Sequence, residues 1–223
     1  GAKVVLVARR KDVLDGVARA IVSAGGEAIA APCDVTNEGE VAALFQRAKD
    51  AYGRVDIVVN NAGVASGTAI DELSLAAWND VVAINLTAVF LMCREAVKVM
   101  KAQSPQGGRI INMGSVSAKT PRPDSIAYTA TKHAIQGMTH QLTMDGRKYG
   151  VVASVIHPGA TLSSFTARRG RTAAGPGATA EDYVMSASDV AKVAVLMCAL
   201  PPEVNLYEAT ILPNNMRSFI GRG

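Results

Sequence analysis

Residues 55–63 read Val55-Asp56-Ile57-Val58-Val59-Asn60-Asn61-Ala62-Gly63: a short β-branched run closed by two amides, a small residue and a glycine. Such a run, too short for a helix and bounded by turn-forming residues, predicts a buried strand over residues 55–60. The same grammar recurs along the chain. Strand-length apolar runs occupy Lys3–Ala8 and residues 28–31, 109–113, 151–157 and 206–212. Helical periodicities separate them. Leu14, Val17, Ala18 and Ile21 recur at i, i+3, i+4 and i+7, as do Val41, Leu44, Phe45 and Ala48, and again Val190, Val193, Ala194 and Met197. Strands alternating with helices predict an α/β fold, a doubly wound parallel sheet covered by helices on both faces. Asn37 and Glu40 predict a capping box at one helix start.

Length and composition narrow the class. The chain has 223 residues, 49% hydrophobic, with Lys+Arg 23 against Asp+Glu 19 and a net charge of +4. That suits one compact domain, residues 1–223. The apolar stretches 81–92 and 190–200 are broken by Asn85, Thr87 and Lys192, short of the ~18 uninterrupted residues a bilayer requires, so no membrane partner is expected. The basic excess is small and lacks interleaved aromatics, which argues against nucleic acid. Three cysteines, Cys33, Cys93 and Cys198, have no paired spacing. They predict a reducing, cytoplasmic setting without disulfide or metal site. The chain opens on Gly1 and runs straight into an apolar stretch, as a segment whose beginning has been lost would. Residues 160–188 lack strong periodicity and are rich in Gly, Ala, Thr and Arg, the composition of a substrate loop or lid.

In a doubly wound sheet the ligand lies at the carboxyl ends of the strands. Here those ends carry Arg9-Arg10, Cys33-Asp34-Val35, Asn60 to Gly63, Gly114-Ser115-Val116-Ser117 and His157-Pro158-Gly159. The sharpest local feature is Tyr128-Thr129-Ala130-Thr131-Lys132. A spacing of four puts phenol and ammonium on one helical face. An ammonium beside a phenol favours the phenolate, which suits general acid/base chemistry near neutrality.

Taken in order, Asn60-Asn61-Ala62-Gly63, Asn85, Ser115, Tyr128, Lys132 and Pro158-Gly159, with Tyr128 thirteen positions after Ser115, resemble the short-chain dehydrogenase/reductase family. The resemblance implies a Rossmann-like fold and hydride transfer between a nicotinamide cofactor and a carbonyl or alcohol. It implies Tyr128 as proton donor and acceptor, and Ser115 as the group orienting the substrate oxygen. Lys132 would hold the nicotinamide ribose, and Asn85 a water linking Lys132 to solvent. Cofactor contacts would come from Arg9, Arg10, Asp34, Val35, Asn61, Ala62, Gly63, Tyr128, Lys132, Pro158, Gly159 and Thr161. Where NAD enzymes of the family carry an aspartate this chain has Ala8 followed by Arg9 and Arg10, so NADP(H) is expected ahead of NAD(H).

The family's glycine-rich pyrophosphate turn, its first strand and its first helix are not in this sequence. That strand would lie between the first and third strands seen here, and without it the sheet is expected to divide. Stretches 64–70, 118–124 and 161–185 are expected to close a pocket for a small carbonyl or alcohol. The segment 81–100 is apolar nearly all round and is expected to form a helix buried on the sheet and against a partner subunit. Val82, Leu86, Val89 and Cys93 form one stripe, while Ile84, Leu91 and Val99 point elsewhere. A homodimer or homotetramer that covers the second set is expected. Two other classes compete. A serine hydrolase using Ser115, His157 and an aspartate lacks the GxSxG elbow. A non-catalytic nucleotide sensor would not require the tyrosine, lysine, serine and asparagine together.

Overall fold

The computed structural model describes residues 1–65, 67–162, 184–214, 216 and 219. Strand β1 (Lys3–Ala8) is followed by α1 (Lys11–Ser23), β2 (Glu27–Pro32), α2 (Glu38–Tyr52) and β3 (Ile57–Asn60). A long helix then runs through α3 (Leu75–Val82), one π turn (Ala83–Thr87) and α4 (Ala88–Ala102). Strand β4 (Gly108–Met113), a 3-10 turn (Val116–Ala118), α5 (Ile126–Gly146) and β5 (Val151–Pro158) follow. The described part closes with β6 (Thr161–Leu162), β7 (Met185–Ser186), α6 (Ala187–Ala199) and β8 (Glu208–Ile211). Of the expected 160–188 loop, residues 163–183 lie outside the described residues. The flanks form the parallel pair β6 and β7 and the first turn of α6.

Every strand pairing among the described residues is parallel, in the order β1-β2, β3-β4-β5-β8 and β6-β7, three separate sheets. The strand expected between β1 and β3 has no counterpart among the described residues, and the main sheet accordingly falls into the first two of these. Ile57 and Val59 on β3 are 38% and 43% exposed, although their neighbours Val58 and Asn60 are buried. Strand alternation sorts the rest of the core. Ile110 and Val155 face the cluster formed with α2, α4 and α5, whereas Ile111 and Ile156 face Met185, Val190 and Met197 beside α6. Both faces of β4 and β5 are buried, as a doubly wound sheet requires.

Four sequence expectations change here. The helix predicted from residue 81 starts at Leu75, capped by the Ser74 hydroxyl, which accepts from Ala77 N at 3.1 Å. An 18-residue window within Leu75–Ala102 has mean hydropathy 1.6, so this helix is long and apolar enough to cross a membrane on length and composition alone, which the count of uninterrupted residues had excluded. In this fold it lies on the sheet, with Val81, Asn85, Val89, Cys93, Ala96 and Met100 buried. Leu91 and Val99, expected to await a second subunit, belong to the chain's own core because α2 and α5 pack along the flanks of this helix. Phe90, 48% exposed, points away from that core. Finally, the capping box is half formed. Asn37 Oδ1 accepts from Glu40 N at 3.1 Å, but the Glu40 carboxylate accepts from Asp34 N at 2.8 Å instead of returning to Asn37. The complete box stands at α6, built by Ser186 and Asp189.

Candidate active site

The carboxyl ends of β3 and β4, the π turn and α5 meet through side-chain bonds. Asn85 is 1% exposed and lies at the centre of the π turn. Its Oδ1 accepts from Val64 N at 2.8 Å, and its Nδ2 donates to Val64 O at 2.8 Å and to Thr131 Oγ1 at 3.3 Å. The amide thereby straps the segment after Asn60-Asn61-Ala62-Gly63 to the helix. Thr131 Oγ1 in turn donates to Tyr128 O at 2.8 Å, so the strap continues into the first turns of α5. Thr131 escaped the sequence reading although it sits inside the quoted Tyr128 to Lys132 stretch, three residues after the tyrosine.

Tyr128 is half-buried, and the Lys132 ammonium lies 5.5 Å from the centroid of its ring. Lys132 is 5% exposed and donates to Met113 O, at the end of β4, at 2.7 Å. Burial lowers its pKa from 10.5 to about 8, because a cation taken from water is disfavoured. The helix carrying both residues starts just after Asp124, whose φ of 55° is left-handed and whose carbonyl accepts from Thr68 N at 2.9 Å. A non-glycine residue in that region is uncommon and turns the chain sharply.

Ser115 follows β4 and is buried. Its Oγ accepts from Ser117 N at 3.1 Å, which leaves the hydroxyl hydrogen to donate elsewhere. His157, fully buried at the end of β5, meets the backbone of Ser115, not its hydroxyl: Nδ1 is 2.9 Å from Ser115 O. A serine-hydrolase pairing of these two residues therefore has no geometric support. Burial is the main cause holding the His157 pKa below its ordinary value, opposed by the Ser115 hydrogen bond and by Glu208.

The remaining predicted residues line the same edge or its extension. Arg9 and Arg10 are exposed after β1, and Arg10 is the N-cap of α1. Asp34 Oδ1 accepts from Thr36 N at 3.0 Å and Thr36 Oγ1 at 2.7 Å; these bonds first, and the Arg9 charge after them, keep its carboxyl below the usual range. Val35 is half-buried and packs on the main core. Asn61 is exposed, as is Ala62, while Gly63 is half-buried beside Asn85 Oδ1. Pro158 ends β5, Gly159 N donates to Ile211 O at 2.8 Å, and Thr161 Oγ1 donates to Gly159 O at 3.0 Å. A cavity of about 340 Å³ is lined by Thr68, Ile70, Pro121, Arg122, Ile126 and Thr129 among others. It draws on two of the three stretches expected to close a pocket; Tyr128 itself is not in the lining.

Comparison with known proteins extends this geometry. The chain is 37% identical over 169 residues to a 3beta-hydroxysteroid dehydrogenase of Mediterraneibacter gnavus, a match covering 75% of this chain and 60% of that protein. It is 35% identical over 167 residues to a 3-oxoacyl-(acyl-carrier-protein) reductase of Synechocystis sp., covering 74% of this chain and 67% of the reductase. The chain thus spans about three-fifths of the hydroxysteroid dehydrogenase and two-thirds of the reductase. Among solved structures, a metagenomic short-chain oxidoreductase in complex with NADP superposes with a TM-score of 0.78 at 32% identity, covering 96% of this chain and 86% of that one. The family model for short chain dehydrogenases matches residues 1–174, the portion that holds β1 to β5, the strapped asparagine, the serine and the Tyr/Lys pair. With parallel sheet, ordered motifs and relatives in agreement, the chain belongs to the short-chain dehydrogenase family.

Proposed function

We propose that the protein interconverts a carbonyl and an alcohol by hydride transfer, with NADP(H) preferred over NAD(H) and Tyr128 as general acid/base. The observation that carries this reading is the Lys132 ammonium, buried and 5.5 Å from the centre of the Tyr128 ring. A cation held there favours negative charge on the phenol oxygen and so matches proton transfer near neutral pH, a contribution of about 10²- to 10⁴-fold in such reactions. In reduction, Tyr128 gives its proton to the carbonyl oxygen. Ser115 donates its remaining hydroxyl hydrogen to the same oxygen as negative charge grows there. Lys132 spends one N–H on Met113 O and keeps two for the hydroxyls of a ribose. A bound reduced nicotinamide supplies the hydride.

The residues present suit such a cofactor. Arg9 and Arg10 are exposed at the end of β1, close enough for Arg9 to stabilise the Asp34 carboxylate. A guanidinium there suits a 2′-phosphate, and the free oxygen of Asp34 suits an adenine amino group. The substrate class is a ketone, aldehyde or alcohol with a modest apolar flank, seated toward the cavity beside Ile70, Pro121 and Ile126. Relatives named for a hydroxysteroid and a 3-oxoacyl thioester support ring and chain ketones as first choices. The free cysteines suit a reducing, cytoplasmic setting. Exposed Phe90 on α4, with Val195 and Leu196 on α6, supports a homodimer or homotetramer, to be checked by light scattering.

The test is a nicotinamide fluorescence titration with NADPH and NADH. Turnover of a 3-ketosteroid, a 3-oxoacyl thioester and 4-nitrobenzaldehyde at constant NADPH follows. Tighter binding of NADPH and carbonyl-dependent oxidation of it are expected. Failure to bind either nucleotide would sink the reading.

A further inference from the structure

The His157 ring is an expensive thing to bury. It is 0% exposed, its Nε2 has no hydrogen-bond partner among the described residues, and Glu208 Oε1 lies 3.9 Å away, beyond hydrogen-bonding reach. Around it stand Glu208 from β8, Lys119 from the turn after the 3-10 segment, and Lys132 from α5. Lys119 pairs with the Glu208 carboxylate, and Gln136 Nε2 donates to its other oxygen at 3.2 Å. On the opposite side Nδ1 sits 2.9 Å from Ser115 O and 3.3 Å from Ser115 N. A neutral imidazole cannot donate to the first and accept from the second. The Nδ1–H tautomer makes the shorter contact, to the carbonyl, and the Nε2–H tautomer the longer one, from the amide.

The backbone has been shaped to admit this ring. A Cβ on Gly114 would stand 2.6 Å from His157 Nδ1 and 2.8 Å from Cε1, so only glycine fits before Ser115 while a histidine occupies position 157. Ser115 O also accepts from Ala118 N at 2.9 Å, the bond that closes the 3-10 turn, and Ser115 Oγ accepts from Ser117 N in that same turn. One carbonyl therefore carries both the turn and the ring. Rotation of that peptide would swing the turn, and with it the direction in which Oγ–H points.

We propose that His157 is a positioning residue for Ser115: its Nδ1–H holds the Ser115 carbonyl, and through the 3-10 turn sets the direction in which the serine hydroxyl is presented to substrate. This deepens, and rests on, the reading of Ser115 as the group that orients the substrate oxygen. The ring makes no contact with substrate in this role. Gly114 and the Lys119–Glu208 pair are its supports, one giving it room and the other walling its far side.

Two measurements test this. The chain has three histidines, so ¹⁵N-labelled imidazole signals can be assigned with His133→Gln and His140→Gln variants. Neutral His157 is expected as the Nδ1–H tautomer, and an Nε2–H tautomer would overturn the proposal whether or not turnover is seen. The second is a double-mutant cycle with 4-nitrobenzaldehyde and NADPH. His157→Phe, which keeps ring volume, is expected to lower kcat by about 10- to 100-fold in the Ser115 background and by less than about threefold in Ser115→Ala, with NADPH affinity unchanged. Equal factors in the two backgrounds would mean that the ring acts on folding alone. If His157→Phe fails to fold, His157→Asn, which can reach the Nδ1 position, is expected to retain turnover that His157→Gln loses; equal loss in both would refute the role. Ser115→Ala with full turnover would sink the serine reading itself. An impaired Ser115→Ala beside an unimpaired His157→Phe would sink only the histidine.

Discussion

Lys132→Met should make the protein inactive and, at neutral pH and without cofactor, no less stable. Burial lowers the lysine from 10.5 to about 8, so keeping it charged inside costs about 3 kcal/mol. Methionine of similar length removes that cost but forfeits the bond to Met113 O and leaves the carbonyl without its donor, a loss of about 1–3 kcal/mol. The variant is therefore expected to be equal to wild type or up to about 2 kcal/mol more stable at pH 7. The sign with pH follows from proton counting. Between about 8 and 10.5 the unfolded lysine is protonated while the folded one is not, so wild-type stability rises with pH through that window. Below it the penalty is fully present; above it the penalty is gone and the hydrogen bond remains. Urea titrations of both proteins at pH 7 and pH 10 measure the difference, which should move by about 2–3 kcal/mol in favour of wild type. An unchanged difference, or a variant destabilised by more than about 2 kcal/mol at pH 7, would refute the account of this lysine as a buried cation.

Tyr128→Phe should retain NADPH affinity within about threefold and lose more than about tenfold in kcat, read by single-turnover oxidation of NADPH. Removing Arg9 and Arg10 together should weaken NADPH binding by about 10- to 100-fold and leave NADH binding little changed, as charge-assisted phosphate contacts are worth about 1.5–3 kcal/mol; an unaltered ratio in a fluorescence titration would reject the assignment. Arg109 is 5% exposed and donates through Nη2 to the carbonyls of Leu200, Pro201 and Val204 at 3.4, 3.2 and 3.1 Å. Arg109→Met should cost about 2–4 kcal/mol and lower Tm by about 4–16 °C in calorimetry, with turnover per folded molecule unaffected.

The alternation of strands and helices was legible because burial on both sides of a parallel sheet forces it: Ile110 and Ile111 can only be adjacent, apolar and fully buried if helices lie on opposite faces. Tyr128 and Lys132 were legible because helical spacing is local. What the sequence concealed depends on neighbours distant in the chain. Glu40 has the right offset from Asn37 for a capping box, but Asp34 N offers the better-placed donor. Leu91 looked spare on a helical projection because nothing local reveals that α2 and α5 flank that helix. Residues 75–80, where Trp78, Asn79 and Asp80 interrupt the apolar pattern, hid the true helix start. Gly114 read as an ordinary strand-end glycine, and only the His157 ring, distant in the chain, supplies its reason.

The polar groups inside this core are best understood as register marks. Asn60 and Asn112 are ladder partners on β3 and β4, and Asn60 Nδ2 donates to Asn112 Oδ1 at 2.9 Å. Asn112 Nδ2 then donates to Thr139 Oγ1 at 3.0 Å, and Thr139 Oγ1 to Ile135 O at 2.7 Å, so the chain of bonds ends on α5. Asn60, Asn112 and Thr139 are all buried, where matched apolar side chains would serve stability as well. What apolar residues could not do is reject a shifted pairing. A slip of β4 by one residue turns Asn112 to the opposite face and breaks both of its buried bonds, to Asn60 and to Thr139, together. The same slip would carry Met113 O away from Lys132 and Ser115 away from His157. The amides that align the strands thus also fix the distance between the serine at the end of β4 and the tyrosine and lysine on α5, and the geometry of the site is set by the core beneath it.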